Sequence, residues 1–393
     1  MHQPIRALVL DQGPGLWGAQ RYLISLRPLL AERGVHLTLA SPPELDQFEY
    51  WRDSGYPTVA LSLPVERSIR NGSRLSAKSI IHESVRSMDV PRRIANAFYQ
   101  GGFDVLLSNS HWTHLDAALA ARFLQIPTAL TLHETSRPGT GARLRNIAIR
   151  NADRTIAVSG SITELIAPGL ADKVVVIPNG VDTARFSPGT NDCDAASTRA
   201  RLGIPSGHRM VLAATRLDPS KNIDHLIDVA EALDQTTVVI AGSTSSYPDY
   251  ERHIHARVEA MPSGRVKLIG RRDDIPELLR AADIYLHTGV IEGMPLGLIE
   301  AQSSGIPVVA YDAAGVSESV RHQTTGFVVA PGDVEHLIQW TRVLSENNPL
   351  RESMGRTARQ HAVASHRIER QADANARVIS ALAVRRRHLI GTS

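Results

Sequence analysis

Two glutamates, Glu292 and Glu300, stand eight positions apart in IEGMPLGLIEA at 291–301, around a core of Gly, Met, Pro, Leu and Gly. Pro295 suits the first turn of a helix, where its missing N–H would have no partner in any case. A helix begun there puts Glu300 in its second turn and leaves Glu292 in the loop before it. The N–H groups of Leu296 and Gly297 then lie between two carboxylates. Such a helix start binds anions such as phosphate, and carboxylates accept hydrogen bonds from hydroxyls. A sugar nucleotide carries both groups. Glu300 is placed to hold a ribose diol and Glu292 a hydroxyl of the sugar, with the diphosphate between them. The same spacing would equally serve a Glu292 that only compensates the helix dipole and a Glu300 on the surface.

A second cluster lies in TRLDPSKNIDHL at 215–226, where Arg216 and Lys221 leave a strand end just before an amphipathic helix. Two cations there suit a diphosphate leaving group, whose charge grows as a glycosidic bond breaks. In a plain surface loop they would be solvated charges. Paired carboxylates also raise glycoside hydrolysis, but Glu300 is too far along the helix to share a reactive carbon with Glu292. His133 closes the run PTALTLHE at 127–134, a position often filled by a packed, hydrogen-bonded histidine. HWTH at 111–114 has a spacing that could ligate metal, but no carboxylate or Cys partner is evident nearby. It reads as acceptor-pocket lining or as plain structure. DCD at 192–194 has the spacing of a metal motif yet lies in a polar linker, and reads as a solvated turn. No metal site is expected.

The elements that must carry these residues follow from hydrophobic patterning. Apolar runs rich in Val, Ile and Leu alternate with longer helical patterns, the signature of parallel-sheet α/β architecture. ALVLD leads through a glycine-bearing turn to a helix over 19–34 and then to VHLTLAS, a strand, helix, strand unit. After the polar break SPGTNDCDAASTRA at 187–200, the alternation begins again at RMVLAATRLD. The reading is two Rossmann-like lobes facing a central cleft, over 1–187 and 188–370, with a helix over 371–393 crossing back to the first. Ligands collect at the carboxyl ends of strands in such sheets.

The chain has 393 residues, 42% hydrophobic and 21% charged, with a net charge of +3. That length suits two cores, and the small charge gives no reason to expect a nucleic-acid partner. A lone cysteine, Cys193, leaves no internal disulfide and fits a reducing compartment. No apolar run is long enough to span a bilayer. The first strand begins almost at once, so no secretion signal is expected and the cytoplasm is the expected location. Basic residues outnumber acidic ones from Glu66 to Arg93 and again in RLRNIAIRNADR at 143–154. Both runs suit either a solvated helix face or a peripheral contact with an anionic membrane surface.

These motifs together resemble a known family, the retaining GT-B glycosyltransferases of family 4, also called glycosyl transferases group 1. The resemblance is carried by VIPNGVDTARFSP at 176–188, Arg216 with Lys221 and Asn222, the stretch 268–310, and TGFVVAPGD at 325–333. It is looser in the first half, in WGAQ at 17–20 and LTLHE at 130–134. It implies that Glu292 and His133 are catalytic, His133 beside the transferred sugar. It implies that Arg216, Lys221, Glu292, Gly293, Met294, Leu296, Gly297 and Glu300 bind the donor, with Gly18 admitting backbone to the same phosphates. Trp17, His111 and Trp112 are the expected acceptor contacts. The implied reaction is metal-independent transfer of a hexosyl unit from a nucleoside diphosphate sugar, UDP before GDP, to a lipid-linked, glycan or small-molecule hydroxyl. A sugar-nucleotide-binding protein without turnover and a GT-B-type epimerase are the alternatives. Trp17 replaces the first of two usual glycines, Pro295 replaces another, and AAGVSES at 313–319 lacks a Gly and a Pro common in the family.

Overall fold

The computed structural model describes residues 3–391 apart from 14, 64–69, 72–73, 76, 136–138, 190–191 and 244–246. The chain forms two compact units, one of residues 1–178 and 369–393, the other of residues 179–368. No helix among the described residues is long and apolar enough to cross a membrane. Arg67 of the basic run, and the side chains from Arg70 to Arg86, lie outside the described residues, as do the side chains of Asp192 and Cys193.

The first unit holds a parallel sheet of β1 (Ile5–Leu10), β2 (Val35–Ser41), β3 (Thr58–Ala60), β4 (Val105–Ser108), β5 (Thr128–Leu132), β6 (Arg154–Ala157) and β7 (Val174–Val176). Their order is β3-β2-β1-β4-β5-β6-β7. In the second unit β8 (Arg209–Ala214), β9 (Thr236–Ala241), β10 (Val266–Leu268), β11 (Ile284–His287), β12 (Val308–Tyr311) and β13 (Gly326–Val329) run in the order β10-β9-β8-β11-β12-β13. Each is a doubly wound, Rossmann-like sheet, as the alternation of apolar runs and helical patterns predicts. Central strands are buried along their whole length: every residue of Thr236–Ala241, Thr128–Leu132 and Val308–Tyr311 is shielded. Helices cover both faces, so these strands read as continuous apolar runs with no polar alternation.

The topology decides where chemistry can gather. In this strand order the direction of winding reverses beside the first strand, and the loops leaving the two strands at that point splay apart to leave a crevice. In the second unit those strands are β8 and β11, paired in parallel with Val211 against Ile284 and Leu212 against Tyr285. In the first they are β1 and β4, with Leu10 against Ser108.

Two local readings differ from the structure. Residues Asp192–Arg201, read as a polar linker, form a helix anchored by Arg199, whose guanidinium meets Asp283 at 2.7 Å and the Ala281 carbonyl at 2.7 Å. A helix of low apolar content was not visible until its tertiary partners were. Pro295 is not inside the helix but at its cap, with φ −63° and ψ 119°, and the helix runs Leu296–Ser303. Proline fixes φ without fixing ψ, so it serves an extended cap as readily as a first turn. The terminal helix Ile368–Gly391 packs on the first unit, where Tyr22 donates to Asn375 Oδ1 at 2.9 Å and Arg33 Nε meets Asp373 at 2.6 Å.

Candidate functional site

The loops after β8 and β11 are tied to one another by one backbone pair and two side-chain bonds to backbone carbonyls. Val290 N–H donates to the Ser220 carbonyl at 3.0 Å, Thr288 Oγ1 to the Lys221 carbonyl at 2.6 Å, and Asn222 Nδ2 to the Thr288 carbonyl at 2.9 Å. Asp218 begins the short turn Pro219–Lys221 by accepting from Ser220 N at 2.8 Å. Asn222 then adopts a left-handed conformation, φ 48°, which turns the chain into the next helix. Asparagine tolerates that region better than most side chains.

This scaffold sets Lys221 Nζ 2.6 Å from Glu292 Oε1, with their side chains only 12% and 11% exposed. His287, the last residue of β11, brings Nε2 within 3.0 Å of the same oxygen. Burial alone would raise the Glu292 carboxyl, yet the Lys221 ammonium and His287 draw it down to about 2. Glu292 is therefore a firm carboxylate throughout the neutral range. Gly289 makes the arrangement possible, since a Cβ there would lie 2.0 Å from Glu292 Oε1. Asn179 supports the loop from another direction, donating Nδ2 to the Met294 carbonyl at 2.8 Å in a buried contact.

The helix Leu296–Ser303 starts directly after this loop, so the N–H groups of its first turn have no partner within the helix. Gly297 sits over the Tyr285 hydroxyl, which a Cβ would approach to 2.2 Å. The Tyr285 phenol is pushed up by burial and by the charge of Glu300, which puts Glu300 in the electrostatic neighbourhood of that hydroxyl. Arg216 lies 3.5 Å from Asp218 and is one-third exposed. The second unit thus gathers Lys221, Glu292, the start of the Leu296 helix, Glu300 and Arg216 around one switch point. The arrangement offers two cations, helix N–H groups and hydroxyl-accepting carboxylates. Sequence reasoning assigned no role to His287, Gly289, Thr288 or Asn179. All four lie within stretches that carry the family resemblance, 176–188 and 268–310, but nothing in the linear order singles out their contacts with Lys221, Glu292 and Met294.

In the first unit, Asp11 after β1 is fully buried and accepts from Gly13 N at 2.8 Å, Gln20 Nε2 at 3.0 Å and Asn109 Nδ2 at 2.6 Å. Burial raises its carboxyl and these donors oppose the rise. Asn109 Oδ1 lies 2.8 Å from His133 Nε2, and the Tyr22 ring meets His133 edge-on at 4.8 Å between centroids. Burial lowers His133 to about 4, opposed by the Glu134 charge and assisted by His111. A neutral imidazole is thus held at the end of β5. Trp17 caps the helix Gly18–Glu32, its N–H donating to Gln20 Oε1 at 3.2 Å. Beside Gly18 the space is open, with nothing within 4 Å of where a Cβ would be.

The two histidines of HWTH part company. His114 is buried with Nδ1 2.8 Å from Ser108 Oγ, and burial lowers it to about 3. His111 faces outward, 3.2 Å from Glu134 and tilted against the Trp112 ring at 4.5 Å. Glu134 is a carboxylate neighbour that the linear spacing did not reveal. Among the described residues no cluster of three or more His, Cys, Asp or Glu is arranged to hold a metal ion.

The sequence matches two family models, Glycosyltransferase Family 4 over residues 17–185 and Glycosyl transferases group 1 over residues 194–361. It is 26% identical over 260 residues to the UDP-Gal:alpha-D-GlcNAc-diphosphoundecaprenol alpha-1,3-galactosyltransferase of Escherichia coli, covering 60% of this chain and 65% of that one. It is 34% identical over 248 residues to the D-inositol 3-phosphate glycosyltransferase of Salinispora arenicola, covering 58% of this chain and 55% of that one. The matches thus span between about half and two thirds of those relatives' lengths. In three dimensions it resembles Anabaena HepE, solved in complex with UDP and glucose, with a TM-score of 0.80 at 24% identity over 96% of this chain and 99% of that one. The chain belongs to the GT-B glycosyltransferases, in the family described by the family 4 and group 1 models.

Proposed function

We propose that the chain is a retaining glycosyltransferase that moves a hexosyl unit from a UDP-sugar to a hydroxyl acceptor without a metal ion. The observation that carries this reading is the buried Lys221–Glu292 pair at 2.6 Å, on the loops of the second unit's switch point and immediately before the helix at Leu296. Lys221, Arg216 and the N–H groups of Leu296 and Gly297 take the diphosphate, helped by the backbone at Gly293 and Met294. Glu300 accepts from the ribose diol and Glu292 from a sugar hydroxyl. As the bond from the anomeric carbon to the diphosphate oxygen breaks, its electron pair stays on that oxygen, where the two cations and the helix start stabilise it. The acceptor oxygen attacks from the face the nucleotide leaves and its proton passes to the departing phosphate, so the configuration is kept. His133, neutral at pH 7 with its one N–H on Nε2 given to Asn109 Oδ1, accepts from a sugar hydroxyl through Nδ1, and Trp17, His111 and Trp112 contact the acceptor. UDP is preferred over GDP on the strength of the Escherichia coli relative's named donor and the UDP bound in the Anabaena structure.

The acceptor is a lipid-linked, glycan or small hydroxyl compound. For a lipid-linked one, the helix Thr140–Asn151 has a suitable face: Leu144 and Ile147 are 38% and 43% exposed, with Arg143, Arg150 and the following Arg154 also exposed. Apolar contacts among arginines suit the inner, anionic surface of a membrane.

The test is release of UDP from UDP-glucose or UDP-galactose. Slow hydrolysis in the wild type, lost in Lys221→Ala and in Glu292→Ala, is expected. Tight binding without UDP release under any acceptor identifies a binding protein instead, and an isomerised donor identifies an epimerase.

A further inference from the structure

An ammonium and an imidazole converge on one carboxylate oxygen. Lys221 Nζ and His287 Nε2 lie 2.6 and 3.0 Å from Glu292 Oε1, and the three side chains are 12%, 8% and 11% exposed. They come from different elements, the turn Pro219–Lys221, the end of β11 and the loop after it. The missing side chain of Gly289 is what lets them meet, because a Cβ there would also stand 3.0 Å from His287 Nε2. That ring nitrogen has no aligned hydrogen-bond partner among the described residues. It stands within hydrogen-bond distance of Glu292 Oε1 with the ring out of line for a well-formed bond.

Lys221 cannot serve two anions equally. If it holds the donor diphosphate, it must relax its grip on Glu292, and a buried carboxylate stripped of its counter-charge is strongly disfavoured. We propose that His287 is a positioning residue that takes up a proton from solvent as the donor binds, replacing Lys221 as the cation beside Glu292. This rests on the reading that Lys221 grips the diphosphate. The imidazolium then donates Nε2–H to Glu292 Oε1, and the carboxylate keeps its charge and its place for the sugar hydroxyl. The groups facing His287 all press the same way. Departure of the Lys221 ammonium removes a repelling positive charge. Glu292 in the loop and the incoming phosphates are negative. Tyr285, two residues earlier on β11, is kept neutral by burial and by the charge of Glu300. Negative surroundings favour the charged imidazole. Donor affinity therefore rises as the pH falls through the imidazole range, by at most about tenfold per pH unit for a single proton.

The probe is UDP-glucose, whose diphosphate is esterified at both ends and exchanges no proton near neutrality. Calorimetric titration in phosphate, Hepes and Tris buffers separates the heat of binding from that of buffer ionisation. The wild type is expected to take up as much as about one proton per UDP-glucose bound. His287→Gln is expected to bind with no uptake and with a flat affinity profile across the same pH range. The ring C–H signals of His287 in the wild type should move toward the imidazolium position when UDP-glucose is added, a readout that needs no variant. Binding without proton uptake overturns the proposal, as does undiminished uptake in a folded His287→Gln protein. Failure of UDP-, GDP- and dTDP-glucose alike to bind would instead remove the donor reading on which the proposal stands.

Discussion

Replacing Glu292 with glutamine puts a number on the buried charge cluster. Glutamine has the shape of a protonated glutamate, so the substitution copies in one step what acid does gradually. In the folded protein burial pushes the Glu292 carboxyl up, but Lys221 and His287 outweigh it and bring the group from its ordinary 4.5 to about 2. Each unit of such a shift corresponds to about 1.4 kcal/mol, so the ionised form contributes about 3 kcal/mol to stability. The group's folded value is depressed, so this contribution is complete above about pH 4.5 and is lost as the pH falls toward 2. For a unit of this size, about 3 kcal/mol corresponds to a fall of roughly 6–12 °C in the unfolding midpoint. The measurement is the midpoint of thermal unfolding for wild type and Glu292→Gln, side by side from neutral pH into acid. A gap at pH 7 that closes as the wild type is acidified through this window is the expected result. Equal midpoints at pH 7, or a gap that does not change with pH, would refute the account of Glu292 as a buried carboxylate held by Lys221 and His287.

Two further consequences concern the neighbours of that charge cluster and the opposite unit. Gly289→Ala puts a methyl group where the Glu292 oxygen stands, 2.0 Å away, and should cost about 1–3 kcal/mol of stability together with most UDP release; a variant that unfolds and turns over like the wild type would show the loop to be slack. His133, lowered by burial to about 4, should give an imidazole NMR titration centred near that value and should lose stability as the pH falls from about 6.5, because the unfolded chain then binds the proton more readily; a midpoint near 6.5 would contradict its described surroundings.

Much of this protein was legible before any coordinates. The apolar runs of β1, β8 and β12 are short and separated by helical patterns, and physics offers few other ways to bury them than doubly wound parallel sheets. Glu292, Arg216 and Lys221 could be picked out because each sits between a strand and a helix, and Glu300 because it follows one turn into the helix after Glu292; such boundaries leave a signature in the order of residues. His111 and Glu134 could not be paired in this way, since nothing in a linear spacing reports which strand ends are neighbours.

Local order along the chain determined the elements, the doubly wound sheets and the residue types at the strand ends, because periodicity and turn chemistry act over a few residues. Only the tertiary structure decided that Lys221, from the end of one strand, and His287 and Glu292, from the end of another, would share a single oxygen. That outcome depends on β8 lying beside β11 and on a glycine leaving room between them. Lys221 and Glu292, 71 positions apart, come to depend on one another's charge only when the chain brings them to 2.6 Å and takes away the water.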